Sequence, residues 1–117
     1  MSKSFKTLTA DVSAALAGLR ADTPETLRGF SALAGAAMKE GALSKRHKEL
    51  IAMAIAVAAR CDACIGFHAE ACVKLGVTRA EYEEMLGVAV YLGGGPSLMY
   101  AAEAMRAWNE YGGAPAA

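Results

Sequence analysis

Helix boundary signals recur at short intervals along this 117-residue chain, and no strand-like alternation of useful length separates them. Thr23 precedes a proline and is typical of a helix start, because threonine caps free N–H groups and proline fits the first turn. Ser44 and Thr78 are further predicted N-caps, and Glu81 completes a capping box with Thr78. These signals predict an all-α chain of about six helices with short connections.

The remaining boundaries are marked less strongly. The first helix is expected to follow Thr9–Asp11, and the last to begin at Pro96-Ser97 after three glycines. Gly76 lies where a helix would end in a left-handed residue. The stretch 45–60 is amphipathic at first and then apolar all round, which predicts a central buried helix. Residues 112–117 are expected to fray.

Composition limits the size, the environment and the partners of the protein. A single domain, 1–117, with a core from about residue 23 to residue 111 is expected. The 55% of hydrophobic residues exceeds what so short a chain buries alone, so some of this surface is expected to meet further copies of the chain. Twelve basic residues balance twelve acidic ones, which gives no electrostatic case for nucleic acid or an anionic membrane. The longest apolar run is too short to span a bilayer and the N-terminus lacks an apolar signal core, which predicts a cytoplasmic protein.

The stretch 60–72 concentrates the reactive side chains. Cys61 and Cys64 are three residues apart, and His68 follows Cys64 by four. On a helix, which turns about 100° per residue, these three side chains and Cys72 share one face. The spacing indicates reversible disulfide chemistry, since a helix N-terminus stabilises a thiolate and a nearby histidine can take its proton.

Other interpretations of the same residues stay open at this point. The cysteines can be small core hydrophobes on an Ala-rich helix, and burial is favoured for Cys72, which has no partner at redox spacing. Alternatively, Cys61, Cys64 and His68 form a zinc set with Cys72 or a carboxylate, although a second ligand pair from a separate loop is missing. In the cytoplasm, thiols are kept reduced, which favours a catalytic Cys-x-x-Cys pair. Arg60 adds a positive charge beside Cys61, and this charge also favours a thiolate.

The run Glu49–His68, E-L-I-A-M-A-I-A-V-A-A-R-C-D-A-C-I-G-F-H, resembles the alkylhydroperoxidase AhpD-like group of the carboxymuconolactone decarboxylase family. In that family a glutamate lies twelve residues before the first cysteine of a Cys-x-x-Cys pair, and a histidine lies four residues after the second. The matching residues here are Glu49, Cys61, Cys64 and His68.

The resemblance implies an all-α fold that assembles as a trimer or hexamer. It implies a thiol-dependent peroxidase or disulfide reductase without a metal or organic cofactor, acting on a hydroperoxide or disulfide and reduced by a thioredoxin- or lipoyl-type donor. Glu49 and His68 would form a proton relay through water to the cysteines, Cys64 would attack the hydroperoxide, and Cys61 would resolve the sulfenic acid. Family members that act as decarboxylases generally lack the cysteine pair. The alternative is a non-redox helical oligomer of the family, decarboxylase-like or zinc-stabilised. Ala63 stands where the characterised reductase-linked type has a second histidine, so part of the relay is absent.

Overall fold

The computed structural model of the chain describes residues 3–116, which contain six α-helices and no β-strand. The helices are α1 (Phe5–Asp22), α2 (Pro24–Met38), α3 (Lys45–Ala59), α4 (Asp62–Lys74), α5 (Arg79–Gly93) and α6 (Gly95–Glu110). The prediction of an all-α fold with about six helices is confirmed. Within the same residues, no helix is long and apolar enough to cross a membrane.

Two of the three predicted N-caps are confirmed. The Ser44 hydroxyl accepts a hydrogen bond from the backbone N–H of His47 (3.1 Å) at the start of α3. The Thr78 hydroxyl accepts one from the Glu81 N–H (3.1 Å), and the Glu81 carboxylate accepts one from the Thr78 N–H (2.8 Å), which completes the capping box of α5. Thr23 differs, because its hydroxyl donates to a carbonyl of the preceding helix (2.9 Å) and makes no side-chain cap for α2.

The first helix begins at Phe5, earlier than the predicted start after Thr9–Asp11. Its first N–H groups find an acceptor at the other end of the chain. The Glu110 carboxylate accepts hydrogen bonds from the backbone N–H groups of Phe5 (2.9 Å) and Lys6 (2.8 Å), and from the Ser4 hydroxyl (2.7 Å). Partial burial raises the pKa of Glu110, but these hydrogen bonds outweigh it and the pKa is lowered overall. The start of α1 is therefore fixed by a residue distant in sequence.

The last described residues fold back onto α6. The Trp108 indole N–H donates to the Ala114 carbonyl (2.9 Å). Gly113 lies directly on the Trp108 ring, where a Cβ would come within 2.2 Å of a ring atom. The prediction of fraying is therefore wrong for residues 112–114, and Ala117 lies outside the described residues.

The helix α4 packs against α1, α3 and α6. The largest fully buried side chains come from five helices: Phe5, Met53, Val57, Ile65, Cys72, Tyr82 and Trp108. In α3, Met53 and Val57 are buried, whereas Ile51 and Ile55 on the opposite face are exposed. The prediction that this helix is buried on all sides is wrong, because only one of its faces meets the core.

A close approach fixes α1 on α4. A Cβ on Gly66 of α4 would lie 2.6 Å from the Thr9 side chain of α1, so the absence of a side chain there allows the two helices to touch. The Thr9 hydroxyl also lies 2.9 Å from the Tyr111 hydroxyl. The N-terminal helix is thus held against the helix that carries the cysteine pair.

Candidate active site

A tight turn joins α3 to α4 and presents the first cysteine. Arg60 takes the left-handed conformation (φ 59°, ψ 46°). The N–H groups of Arg60 and Cys61 donate to the carbonyls of Val57 (3.2 Å) and Ala56 (3.0 Å), which is the Schellman pattern of a helix end. A residue with a Cβ costs about 1 kcal/mol in this conformation. The turn places Cys61 at the N-cap of α4.

Cys61 and Cys64 are joined by a disulfide, with their Cα atoms 5.2 Å apart. Both residues are half-buried. The Cys61 Sγ accepts a hydrogen bond from the Cys64 backbone N–H (3.2 Å), so a sulfur takes the place of the usual capping oxygen. The helix N-terminus carries a partial positive charge and stabilises negative charge on this sulfur once the disulfide is reduced. This end of α4 is therefore suited to reversible disulfide chemistry.

The next turn of α4 carries a histidine paired with a carboxylate of α3. The His68 Nδ1 lies 3.0 Å from the Glu49 Oε2, and Glu49 is only 6% exposed. Because an ionised carboxylate only accepts hydrogen bonds, the hydrogen is assigned to Nδ1, and Nε2 is left to exchange a proton. A buried carboxylate without such a partner would be strongly destabilising. The structure brings these two residues together in direct contact; their role as a relay stays a prediction.

One turn further, Cys72 is a buried free thiol, as the sequence predicts. Burial raises the pKa of Cys72 to about 12, and the negative charge of Glu49 acts in the same direction. Burial also raises the pKa of Tyr82, with a smaller contribution from Cys72. The Tyr82 hydroxyl donates to the Ala104 carbonyl (2.8 Å). Because a protonated thiol is a poor nucleophile, Cys72 does not compete with the cysteine pair near neutral pH.

Two charged residues beside the disulfide were missed by the sequence reasoning. Asp62, between the two cysteines, opens α4, and its Oδ2 lies 2.7 Å from the Lys3 Nζ. The Asp62 Oδ1 is buried without a hydrogen-bond partner. An acidic residue in a first turn is a recognisable signal. Lys3 has no such signal in the sequence, because it is 59 residues away from Asp62 along the chain.

The arrangement departs from the zinc set that the sequence leaves open. The Cys61 and Cys64 sulfurs are bonded to each other. Residues 3–116 contain no group of three or more His, Cys, Asp or Glu side chains that could hold a metal ion. His47, to which no role was assigned, is exposed, and its Nδ1 lies 2.9 Å from the Ser44 hydroxyl.

Residues 24–113 match the model of the carboxymuconolactone decarboxylase family. An uncharacterised protein of Cupriavidus necator is 33% identical over 105 residues, which cover 90% of this chain and 93% of the relative. Uncharacterised protein 4 in the cox locus of Paracoccus denitrificans is 34% identical over 85 residues, which cover 73% of this chain and 77% of the relative.

Two solved structures are similar in fold. The crystal structure of a carboxymuconolactone decarboxylase family protein from Legionella pneumophila has a TM-score of 0.90 and 58% identity, with 92% of this chain and 96% of that chain covered. A family protein from Thermotoga maritima, for which a role in the antioxidative response has been suggested, has a TM-score of 0.68 and 27% identity, with 80% and 86% covered.

Proposed function

The chain belongs to the carboxymuconolactone decarboxylase family, as its sequence predicts, and we propose that it acts as a thiol-dependent peroxidase or disulfide oxidoreductase of the cytoplasm. The observation that supports this proposal is the placement of the Cys61–Cys64 disulfide at the N-terminus of α4, one turn from the His68–Glu49 pair. The net reaction converts two thiols and a hydroperoxide into a disulfide, an alcohol and water. It draws only on side chains and needs no metal or organic cofactor.

In the oxidative half of the proposed cycle, the Cys64 thiolate attacks the hydroperoxide oxygen and the O–O bond breaks. The alkoxide leaves with a proton, and Cys64 becomes a sulfenic acid. The Cys61 thiol then attacks the sulfenic sulfur, the S–S bond forms and water is released. His68 takes the Cys64 proton at Nε2 and returns it to the leaving alkoxide, while Glu49 holds the Nδ1 hydrogen and stabilises the imidazolium.

In the reductive half, an external dithiol of the thioredoxin or lipoyl type restores the cysteine pair. One donor thiolate attacks a sulfur of the disulfide, and the second donor thiol releases the resulting mixed disulfide. Two electrons and two protons pass from the donor to Cys61 and Cys64. Neither cysteine residue is fully buried, which is compatible with attack by such a donor.

We also propose that copies of the chain assemble, in a multiple of three as the family resemblance implies. Large apolar side chains remain exposed on several helices: Phe30, Leu33, Ile51, Ile55, Val88, Tyr91, Leu92, Leu98 and Met99. None of the side chains of α2, all within the described part of the chain, is buried. Apolar surface of this extent favours association. A clean monomer in light scattering at micromolar concentration would contradict this proposal.

A thiol count tests the proposed activity. The reduced wild-type protein should lose two thiols per chain after one equivalent of hydroperoxide, and Cys72→Ser should behave in the same way. Cys61→Ser should accumulate a sulfenic acid on Cys64 that dimedone traps. If peroxide consumes neither Cys61 nor Cys64, or if the dominant disulfide involves Cys72, the proposal is wrong. One metal ion per purified chain would support the zinc alternative instead.

A further inference from the structure

Lys3, near the beginning of the described chain, contacts the first turn of α4. It lies outside residues 24–113, which match the family model. The Lys3 Nζ forms an ion pair with the Asp62 Oδ2 at 2.7 Å, and both side chains are 38% exposed. Asp62 is one of the two residues between Cys61 and Cys64. A lysine outside the matched segment therefore contacts the centre of the redox motif.

The structure fixes the backbone around Lys3 from two sides. The Arg106 guanidinium donates to the Lys3 carbonyl (2.8 Å), and the Glu110 carboxylate accepts from the N–H groups of Phe5 and Lys6. Phe5 is fully buried. A lysine on an unanchored segment samples many positions. Lys3 lies on an anchored segment, which holds its side chain near Asp62.

The charge of Asp62 has two opposing effects on this end of α4. A carboxylate in the first turn stabilises the helix, but negative charge beside a reduced cysteine disfavours its thiolate. The Asp62 Oδ1 makes no hydrogen bond, and within residues 3–116 the cation paired with Asp62 is Lys3. Arg60 precedes Cys61 on the turn, His68 one turn beyond Cys64 is paired with Glu49, and Arg106 is paired with a glutamate of its own helix.

We propose that Lys3 is a positioning residue of the disulfide chemistry, which acts by neutralising Asp62 and so keeps more of the reduced cysteine pair in the thiolate form. This inference rests on the proposed function, since it concerns the same cysteines. Reduction by dithiothreitol breaks the Cys61–Cys64 bond and forms the cyclic disulfide of the reagent, with transfer of two electrons and two protons. Stabilising the thiolate stabilises the reduced protein, so Lys3 shifts this equilibrium toward the dithiol.

The test compares Lys3→Ala with a matched control, Lys6→Ala, which removes the same charge from the same segment without touching Asp62. Two properties are measured on the full chain: the rate at which iodoacetamide alkylates reduced Cys61 near pH 7, followed by mass spectrometry, and the equilibrium with dithiothreitol. An ion pair this exposed is worth little, so Lys3→Ala should slow alkylation about two- to fivefold and favour the disulfide by a similar factor. Lys6→Ala should change neither property, and Lys3→Arg should restore both.

Asp62→Asn decides whether the effect passes through the carboxylate. In that background Lys3→Ala should have no further effect on alkylation. An equal effect in both backgrounds overturns the proposal, and so does a Lys3→Ala variant that melts earlier but reacts at the wild-type rate, because Lys3 would then only anchor α1. Neither readout uses peroxide. A wild-type protein that consumes no hydroperoxide but shows the Lys3 effect would refute the proposed peroxidase and leave this inference standing.

Discussion

The turns at the two ends of α4 share one backbone pattern but differ in the residue at the critical position. After α4, Gly76 is left-handed (φ 76°), and the N–H groups of Gly76 and Val77 donate to the carbonyls of Val73 (3.2 Å) and Cys72 (3.1 Å). Before α4, the same pattern is closed by Arg60. Glycine adopts this conformation without a steric cost and arginine does not.

The strained turn is the one that presents the cysteine pair. Among the described residues, Arg60 is the one non-glycine residue with positive φ. The turn at Gly76 is followed by ordinary structural features. Val77 is buried, and α5 begins with its capping box. Strained backbone is commonly found at functional sites. The comparison therefore separates α4 into a reactive end and a structural end, and the predictions below test that division.

The largest expected effect is at the reactive end. Glu49→Gln and His68→Ala should each slow peroxide-driven loss of thiols by at least about tenfold. General acid–base catalysis is worth about 10²–10⁴-fold in rate. The expected effect lies below this range because Ala63 stands where the resembling family type has a second histidine. Because both residues serve one proton path, the double variant should be little slower than either single variant. Stopped-flow measurement of disulfide formation checks the rates.

The matched control for this experiment is His47→Ala, which removes an exposed histidine near the start of the same α3 helix. It should leave the rate unchanged. A Glu49→Gln variant with the wild-type rate, beside a Cys64→Ser variant without activity, would show that the thiol chemistry proceeds without the relay. The pair of buried Glu49 and half-buried His68 would then belong to the structural part of the molecule.

A second effect concerns the buried thiol of Cys72, nearer the structural end. The pKa of Cys72 is raised from 9.0 to about 12, so as pH rises the unfolded chain loses this proton before the native chain does. Between about pH 9 and pH 12 the native state binds more protons than the unfolded state, and the free energy of unfolding should fall by roughly 1 kcal/mol per pH unit. The elevated pKa of Tyr82 acts in the same direction.

Urea unfolding of the oxidised protein at pH 7, 9 and 10.5 measures this dependence. Cys72→Ala should be less stable at pH 7, because it leaves a small cavity, but its stability should fall less steeply above pH 9. Equal slopes for the two proteins would show that the Cys72 thiol is not desolvated in the native state.

Local signals explain which parts of this molecule could be predicted from its sequence. Ser44 and Thr78 were correct as caps because each bonds to the N–H three residues later. The start of α1 was missed because its acceptor, Glu110, is distant in sequence. The family resemblance, and not the spacing alone, implied that Glu49 and His68 share a site, and their direct contact depends on how α3 crosses α4.

Other features had no readable signal. The left-handed backbone of the α3–α4 turn is not marked by a glycine. The periodicity of α2 indicates an apolar face, and Phe30 and Leu33 do lie on it, but both are exposed. A pattern in one chain shows which face is apolar and gives no information about what covers that face.

A smaller effect is expected from adding a side chain at the structural end. Gly76→Ala should lower the free energy of unfolding by about 1 kcal/mol, because a Cβ is strained in the left-handed conformation. Nothing lies within 4 Å of the position that this Cβ would take, so the cost is conformational. Gly41→Ala is the control, since that glycine also has open space and no positive φ, and it should be close to neutral. Equal losses in the two variants, measured by urea unfolding, would remove the basis for comparing the two turns.

The smallest expected effect is the reverse change at the reactive end. Arg60→Gly relieves about 1 kcal/mol of strain in the native state and adds about 0.5 kcal/mol of chain entropy to the unfolded state, so a net gain of about 0.5 kcal/mol is expected. Arg60→Lys keeps both the charge and the Cβ, and should leave the stability unchanged. The same two variants separate strain from charge in the chemistry, because only Arg60→Gly removes the cation beside Cys61 and should slow its alkylation by about twofold. If Arg60→Gly gains stability as expected but its Cys61 is alkylated at the wild-type rate, the arginine charge has no effect on the cysteine. The strained conformation of Arg60 would then be unrelated to the reactivity of Cys61. The two ends of α4 would differ only in the presence of the cysteine pair.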